Sequence, residues 1–135
     1  VRKKFFANFR VSVMLDSNGS NTTAAAGVAW LAHGRSLAGK RAVVLAGTGP
    51  VGQRAAVMLA REGALVTITS RELDRAQAAA KAILERFKIE VNAVEAADHD
   101  ARGRAIEGAH VVFATGAGGV QLLEERHWKD NATLE

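Results

Sequence analysis

The glycines of residues 46–52, Ala-Gly-Thr-Gly-Pro-Val-Gly, have a spacing suited to binding a phosphate-bearing ligand. They follow a short apolar run and precede a stretch with helical periodicity, so they connect a strand to a helix. In such a turn one glycine allows the tight bend, one lets the backbone approach a pyrophosphate, and one lets the helix pack closely on the strand. The amides and dipole of the helix N-terminus hold the anion. We therefore predict a dinucleotide-binding turn of six residues: Gly47, Thr48, Gly49, Pro50, Val51 and Gly52.

The end of the next predicted strand distinguishes between the two nicotinamide cofactors. Sites that prefer NAD usually carry an acidic side chain there, which binds the ribose hydroxyls. This sequence has Ser70 and Arg71 at that position, and a guanidinium can form paired hydrogen bonds with a 2′-phosphate. The pattern favours NADP as the cofactor. NAD is the alternative, with Glu72 on the ribose hydroxyls and Arg71 in solvent at a helix start.

A second glycine-rich stretch, residues 114–120, follows a later predicted strand. Ligands of this kind of sheet lie beyond the carboxyl ends of the strands, and small residues there allow a close approach to the backbone. We predict that Thr115, Gly116 and Ala117, together with Gly118, contact the nicotinamide half of the cofactor. The alternative is a plain loop between a strand and a helix, and residues 116–119 are also predicted to open a further helix.

The elements that must position these residues alternate along the chain. Period-two alternation predicts a strand at 9–15, and a helix follows at 22–33 with Ser20 or Asn21 as its N-cap and Gly34 as its stop. Further strands are predicted at 42–46, 65–69, 91–95 and 110–115, and helices at 51–62, 73–87 and 101–107. This order predicts the α/β class with a doubly wound parallel sheet, a Rossmann-like NAD(P)-binding domain.

Composition limits the other classes of function. The 135 residues suffice for one domain, and the sequence contains neither a secretory signal nor an apolar run that could span a membrane. The net charge of +4 reflects basic residues near the N-terminus and others interleaved with acids, which is not a nucleic-acid-binding pattern. Cysteine is absent, and the four histidines are too scattered to indicate a metal site. We expect a cytoplasmic protein without nucleic-acid, membrane or metal binding.

The predicted sheet has fewer strands than a full doubly wound sheet, which normally has six. The sequence ends about where the next strand would begin, and the strand at 9–15 has no obvious sequential partner. We therefore expect a fragment of a two-domain protein. Residues 1–38 would form a strand, loop and helix leading from a missing N-terminal region, and residues 39–135 a C-terminally incomplete NAD(P)-binding domain.

Residues 13–26, Val-Met-Leu-Asp-Ser-Asn-Gly-Ser-Asn-Thr-Thr-Ala-Ala-Ala, are more specific than the glycine turn. Together with residues 39–56, 70–80, 86–93 and 108–123, they resemble the NAD(P)-dependent methylene-tetrahydromethanopterin dehydrogenases of methylotrophic bacteria. The resemblance covers nearly the whole chain from Phe5 onward. It implies transfer of a hydride from the methylene group of a reduced pterin to NADP or NAD, forming the methenyl pterin in one-carbon metabolism. The related methylene-tetrahydrofolate dehydrogenases share this architecture, so the carrier is tetrahydromethanopterin or tetrahydrofolate.

The resemblance adds a second role to the polar turn before the first helix. It implies that Asn18, Gly19, Ser20 and Asn21 line the cleft where the pterin meets the nicotinamide. The family's pterin-holding residues come largely from an N-terminal domain and a C-terminal segment that this sequence lacks. Hydride transfer needs alignment and exclusion of water more than an acid or base. We therefore predict no catalytic residue in this chain and expect it to be inactive alone, with homo-oligomers formed, if at all, through the parent protein.

Two other interpretations stay open. Residues 67–80 are also similar to the NADP sites of shikimate dehydrogenases and glutamyl-tRNA reductases, although neither family accounts for residues 13–26. A non-catalytic module, in which nucleotide binding controls a partner, would carry the same turn.

Overall fold

A computed structural model describes residues 15–129, 131, 133 and 134. In this part of the chain, helices alternate with four parallel strands that form one sheet in the order β3-β2-β1-β4. The elements are α1 (Ser20–Ala32), β1 (Arg41–Leu45), α2 (Pro50–Arg61), β2 (Leu65–Ser70), α3 (Leu73–Phe87), β3 (Asn92–Glu95), α4 (His99–Ile106), β4 (Val111–Ala114) and α5 (Glu125–Lys129).

Alternate residues of β1 pack into two hydrophobic clusters on opposite faces of the sheet. Ala42 and Val44 join a cluster with residues of α1, α2 and α3, whereas Val43 and Leu45 join a cluster with Ile106 of α4. All four β1 side chains are at most 2% exposed. Helices therefore cover both faces of the sheet, and the predicted doubly wound α/β fold is confirmed.

The strand register brings the carboxyl ends of the strands to one edge of the sheet. Val44 of β1 lies opposite Ile68 of β2 and Phe113 of β4, so the chain leaves these three strands at nearly the same level. β3 pairs with β2 in the same direction. The loops that follow the strands therefore meet at this edge, which we call the carboxyl edge.

The predicted strands and helices between residues 42 and 115 are confirmed, with ends that differ by no more than two residues. β1 ends at Leu45 because Ala46 has a left-handed conformation, with a φ of 53°, and leaves the strand. α4 begins at His99, earlier than predicted, because the Asp98 side chain accepts a 2.7 Å hydrogen bond from the amide of Ala101.

The prediction that residues 116–119 open a helix is wrong. The chain is irregular from residue 115 to residue 124, and α5 begins only at Glu125. Gly119 has a φ of +79°, which a right-handed helix does not contain. Leu122 packs over Gly116, where a Cβ would lie 2.9 Å from Cδ1 of Leu122, and Leu123 packs against the second cluster. This segment therefore covers the sheet with side chains of an irregular loop.

The predicted N-cap of the first helix is also wrong. α1 already includes Ser20 and Asn21, and the preceding Gly19 has a left-handed φ of 67°. This turn brings the Asp16 carboxylate to the amides of Asn21 and Thr22, at 3.1 and 2.9 Å. Asp16 therefore caps the helix from outside it.

The C-terminus of α1 agrees better with the prediction from the sequence. The helix ends at Ala32, and Gly34, the predicted stop, has a left-handed φ of +71° two residues later. The predicted strand at 9–15 lies outside the described residues, apart from an exposed Leu15. In the described part of the chain, each helix is too short or too polar to cross a bilayer.

α1 packs closely on the sheet and on α2. Ala24 and Val28 are buried in the first cluster, and a Cβ at Gly27 would lie only 2.3 Å from Cζ of Phe113 in β4. The glycine allows the helix to approach the sheet at this point. As a result, the N-terminus of α1 lies beside the N-terminus of α2, where Asn21 and Arg54 form a hydrogen bond.

Candidate functional site

The turn between β1 and α2 is fixed by hydrogen bonds to the end of β2. The amide of Gly47 donates to the carbonyl of Thr69 at 2.9 Å, and the amide of Ala46 donates to Oγ1 of the same residue at 3.2 Å. Thr69 is itself only 2% exposed. Because its hydroxyl and carbonyl both bond to the turn, the turn begins at a fixed point of the carboxyl edge.

The three glycines of the turn have different surroundings. A Cβ at Gly52 would lie 2.6 Å from Cα of Gly47, and one at Gly47 would lie 2.9 Å from the carbonyl oxygen of Val44. The fold therefore requires glycine at both positions. A Cβ at Gly49 would meet no protein atom within 4 Å, and its φ is −77°. The space before the N-terminus of α2 is therefore open at Gly49.

The first turn of α2 suits an anion. Pro50 is at the start of the helix, where its missing amide costs no intrahelical hydrogen bond, and the first turn contains no acidic residue. The side chain of Gln53 donates to the carbonyl of Thr48 at 2.7 Å and holds the preceding loop in place. Amides of the first turn lack intrahelical partners, so they and the helix dipole attract negative charge.

A cavity of about 390 Å³ lies at the carboxyl edge beside this turn. It brings together five predicted site residues from the end of β2 and the loops after β1, β2 and β4, namely Thr48, Ser70, Arg71, Gly116 and Ala117. Among the described residues that line it, none is acidic, and three are arginines: Arg71, Arg75 and Arg102. The cavity is therefore positively charged, as a site for a phosphorylated ligand requires.

The other predicted cofactor-binding residues lie around this cavity. Gly49 lines an adjoining space of about 430 Å³ that shares Thr48 and Arg75 with the cavity. Pro50, Val51 and Gly52 form the first turn of α2, beside the cavity. Thr115 does not line the cavity, because its hydroxyl donates to the carbonyls of Leu45 and Ala46, at 2.9 and 3.1 Å. This side chain joins the loop after β4 to the loop after β1.

The end of β2 presents a guanidinium to the cavity, and the neighbouring carboxylate lies elsewhere. Ser70 is 8% exposed, and its hydroxyl accepts a 3.4 Å hydrogen bond from the amide of Glu72. Arg71 is exposed and lines the cavity, whereas the carboxylate of Glu72 lies 3.8 Å from Nε of Arg75 in an exposed ion pair. Glu72 is not among the residues that line the cavity. This arrangement suits a 2′-phosphate better than a bare ribose.

Sequence reasoning missed two of the three arginines. Arg75 follows Arg71 by four residues across the start of α3, and this spacing could have indicated a second cation on the same side. Arg102 comes from α4, and nothing local places it in the site. Its guanidinium donates to the carbonyls of Ala97 and Leu122, at 2.9 and 3.4 Å, which holds it between the loops after β3 and β4.

The four residues predicted to line a pterin cleft lie together at the N-terminus of α1, outside the cavity. The side chain of Asn18 accepts hydrogen bonds from the amide and the hydroxyl of Ser20, and Asn21 accepts one from Nε of Arg54 in α2. Hydrogen bonds from the backbone amides of Thr22 and Asn21 lower the pKa of the Asp16 carboxyl below its usual value of 3.8. Asp16 is therefore ionised near neutral pH and keeps this turn ordered.

A family model described as the saccharopine dehydrogenase NADP binding domain matches residues 43–116. The chain belongs to this family. The match runs from within β1 to Gly116, so it includes the glycine turn, the end of β2 and the start of the loop after β4. The chain is thus an NADP-binding domain of the oxidoreductase type, and NADP, as the sequence predicted, is its cofactor.

Two curated relatives match this chain, and the one named as a methylenetetrahydromethanopterin dehydrogenase confirms the predicted resemblance to that family. The bifunctional protein MdtA of Methylorubrum extorquens is 57% identical over 137 residues, which cover 100% of this chain and 48% of that protein. The NAD(P)-dependent methylenetetrahydromethanopterin dehydrogenase of the same organism is 36% identical over 129 residues, which cover 90% of this chain and 43% of that protein. The chain therefore spans less than half the length of each relative.

Solved structures agree with the fold. Ligand-free 5-ketofructose reductase of a Gluconobacter species is similar with a TM-score of 0.58 and 22% identity, over 78% of this chain and 39% of that chain. L-Sorbose reductase of Gluconobacter frateurii, solved with NADPH and L-sorbose, has a TM-score of 0.50 and 26% identity, over 63% of this chain and 36% of that chain.

Proposed function

We propose that this chain is the cofactor-binding part of a dehydrogenase that transfers a hydride from a methylene-tetrahydropterin to NADP, forming the methenyl pterin. The observation that carries the proposal is the cavity at the carboxyl edge, which three arginines and no acidic residue line among the described residues, next to the open glycine turn. The relative named as a methylenetetrahydromethanopterin dehydrogenase supports the choice of substrate. The carrier is tetrahydromethanopterin or tetrahydrofolate.

Each part of the site has a role in this proposal. The turn from Gly47 to Gly52 binds the pyrophosphate, with the open space at Gly49 as the point of closest approach. Ser70 and Arg71, assisted by Arg75, bind the 2′-phosphate. Bound NADP supplies the hydride acceptor, while Gly116 and Ala117 lie along its nicotinamide half and Thr115 holds their loop to the loop after β1.

The residues at the N-terminus of α1 face the pterin in this proposal. Asn18, Gly19, Ser20 and Asn21 line the cleft, and Asp16 keeps their backbone ordered through its bonds to Asn21 and Thr22. Their task is alignment and exclusion of water, because hydride transfer needs no proton donor at this place. We assign no catalytic residue to this chain.

The proposal also divides the chain. Residues 39–135 are the NAD(P)-binding domain, and residues 1–38 lead to a pterin-holding region that this chain does not contain. The isolated chain should therefore bind NADPH but show no turnover of methylene-tetrahydromethanopterin or methylene-tetrahydrofolate in an assay of NADPH absorbance. Turnover by the chain alone would contradict this division. The proposed setting is the cytoplasm.

The cofactor assignment is tested by the substitution Arg71→Glu. We expect the wild-type chain to bind NADPH at least about tenfold more tightly than NADH. The variant should lose this preference, because a carboxylate repels the 2′-phosphate and accepts hydrogen bonds from the ribose hydroxyls. Fluorescence titration with both cofactors measures it. Arg35→Glu, in the loop before β1 at the opposite edge of the sheet, makes the same change in charge and should preserve the preference. An unchanged preference in Arg71→Glu would overturn the assignment.

A further inference from the structure

Polar side chains join the N-termini of α1 and α2. The carboxylate of Asp16 accepts hydrogen bonds from the side chains of Asn21, at 3.2 Å, and Thr22, at 2.8 Å, in addition to their backbone amides. The side-chain oxygen of Asn21 accepts a hydrogen bond from Nε of Arg54. Nη1 of Arg54 in turn donates to the carbonyl of Pro50 at 2.9 Å. A continuous set of hydrogen bonds thus runs from Asp16 to the first residue of α2.

The orientation of each group in this set depends on its neighbour. Because the side-chain nitrogen Nδ2 of Asn21 donates to Asp16, the side-chain oxygen Oδ1 of Asn21 faces Arg54. The planar fork of the arginine then reaches two oxygens on different helices, which the single ammonium of a lysine cannot reproduce. Among the described residues, no carboxylate forms an ion pair with Arg54. Its hydrogen bonds to Asn21 and Pro50 therefore determine where its guanidinium lies.

We propose that Arg54 is a positioning residue that couples the pyrophosphate site to the segment 16–22. This inference rests on the proposed function, because it takes the first turn of α2 as the anion site and segment 16–22 as the side of the pterin cleft. An anion on the amides of that turn restrains the backbone around Pro50. Arg54 transmits the restraint to Asn21 and hence to the amides that bond Asp16. Cofactor binding then orders the pterin side of the site before the substrate arrives.

The coupling is measurable as hydrogen exchange at the amides of Asn21 and Thr22, which donate to Asp16. In the wild-type chain, saturating NADPH should slow exchange at these two amides about fivefold or more. In Arg54→Met the slowing should disappear, while the Kd for NADPH stays within about threefold of the wild-type value. Arg54→Lys keeps the charge but not the fork and should behave like Arg54→Met. Arg61→Met, at the other end of α2, is the matched control and should retain the slowing.

Each result of the exchange and binding measurements supports or overturns the proposed coupling. Slowing that persists in Arg54→Met, or NADPH binding to the wild-type chain without any slowing, would overturn the coupling and leave the proposed function intact. A tenfold loss of NADPH affinity in Arg54→Met would make the arginine a direct ligand and overturn its positioning role. A wild-type chain that does not bind NADPH would overturn the proposed function together with this inference. Asn21→Leu, which breaks the same connection from α1, should also abolish the slowing and serves if the arginine variants do not fold.

Discussion

At Gly49 a methyl group would meet no protein atom within 4 Å, and a φ of −77° suits any L-residue. At Gly52, inside α2, a methyl group would collide with the backbone of Gly47 at 2.6 Å, although alanine is the better helix former by about 1 kcal/mol. The fold therefore requires the second glycine but not the first. A ligand that approaches the backbone closely accounts for the first.

The substitution Gly49→Ala separates these two requirements. We expect the free energy of unfolding to change by less than about 0.5 kcal/mol, because the added methyl group enters open space. The affinity for NADPH should fall at least about tenfold, since the methyl group occupies the space in which the pyrophosphate approaches the turn. Urea denaturation and fluorescence titration of the same sample measure both quantities.

Gly52→Ala is the control for that substitution. The methyl group forces the start of α2 away from Gly47, so we expect a loss of about 1–3 kcal/mol in the free energy of unfolding. If Gly49→Ala leaves the affinity for NADPH unchanged, the pyrophosphate does not bind at this turn.

The site residues that were predictable from sequence are those whose spacing carries their chemistry. The glycine turn and the Ser70-Arg71 pair are local patterns next to predicted strands, so both could be placed at the carboxyl edge. Arg102 could not, because its place in the cavity depends on bonds to the carbonyls of Ala97 and Leu122, in loops brought together only by the sheet.

At the scale of elements, strands and helices between residues 42 and 115 could be predicted because their apolar patterns have distinct periods. The predictions of secondary structure are wrong where tertiary contacts, and not local sequence preferences, determine the conformation of the chain. Residues 116–119 follow a strand as a helix start would, yet Leu122 and Leu123 are held by the second cluster and the chain stays irregular. The cap of α1 was missed because Asp16 lies six residues from Thr22, beyond the spacing of an ordinary capping pattern.

The cap on α1 gives a pH-dependent contribution to stability. The pKa of Asp16 is lowered in the folded chain, so its contribution is present above the unfolded pKa, close to 3.8, and is lost as the pH falls through the folded value. We expect the difference in free energy of unfolding between wild type and Asp16→Asn to be constant above about pH 5 and to shrink below about pH 4. Urea denaturation followed by circular dichroism over pH 3–7 measures it, and a difference independent of pH would contradict the capping role.

At the scale of the whole molecule, the net charge of +4 is less informative than where the charges lie. Arg71, Arg75 and Arg102 line the carboxyl-edge cavity without an acidic neighbour among its described lining residues. Elsewhere, cations such as Lys81 and Lys129 pair with glutamates one helical turn away. Of the three arginines, Arg75 pairs with Glu72, whereas no described carboxylate pairs with Arg71 or Arg102. Unpaired positive charge therefore lies where the phosphates of the cofactor are proposed to bind.

This concentration of charge predicts how salt affects the two cofactors. Raising the ionic strength from about 0.01 M to about 0.15 M shortens the Debye length from roughly 30 Å to roughly 8 Å. NADPH carries the additional 2′-phosphate, so its affinity should fall more steeply than that of NADH in titrations across this range. Arg71→Glu should remove most of the difference, whereas Arg35→Glu lowers the net charge equally and should preserve it. Equal effects of the two substitutions would mean that the overall charge, and not the arginines of the cavity, attracts the cofactor.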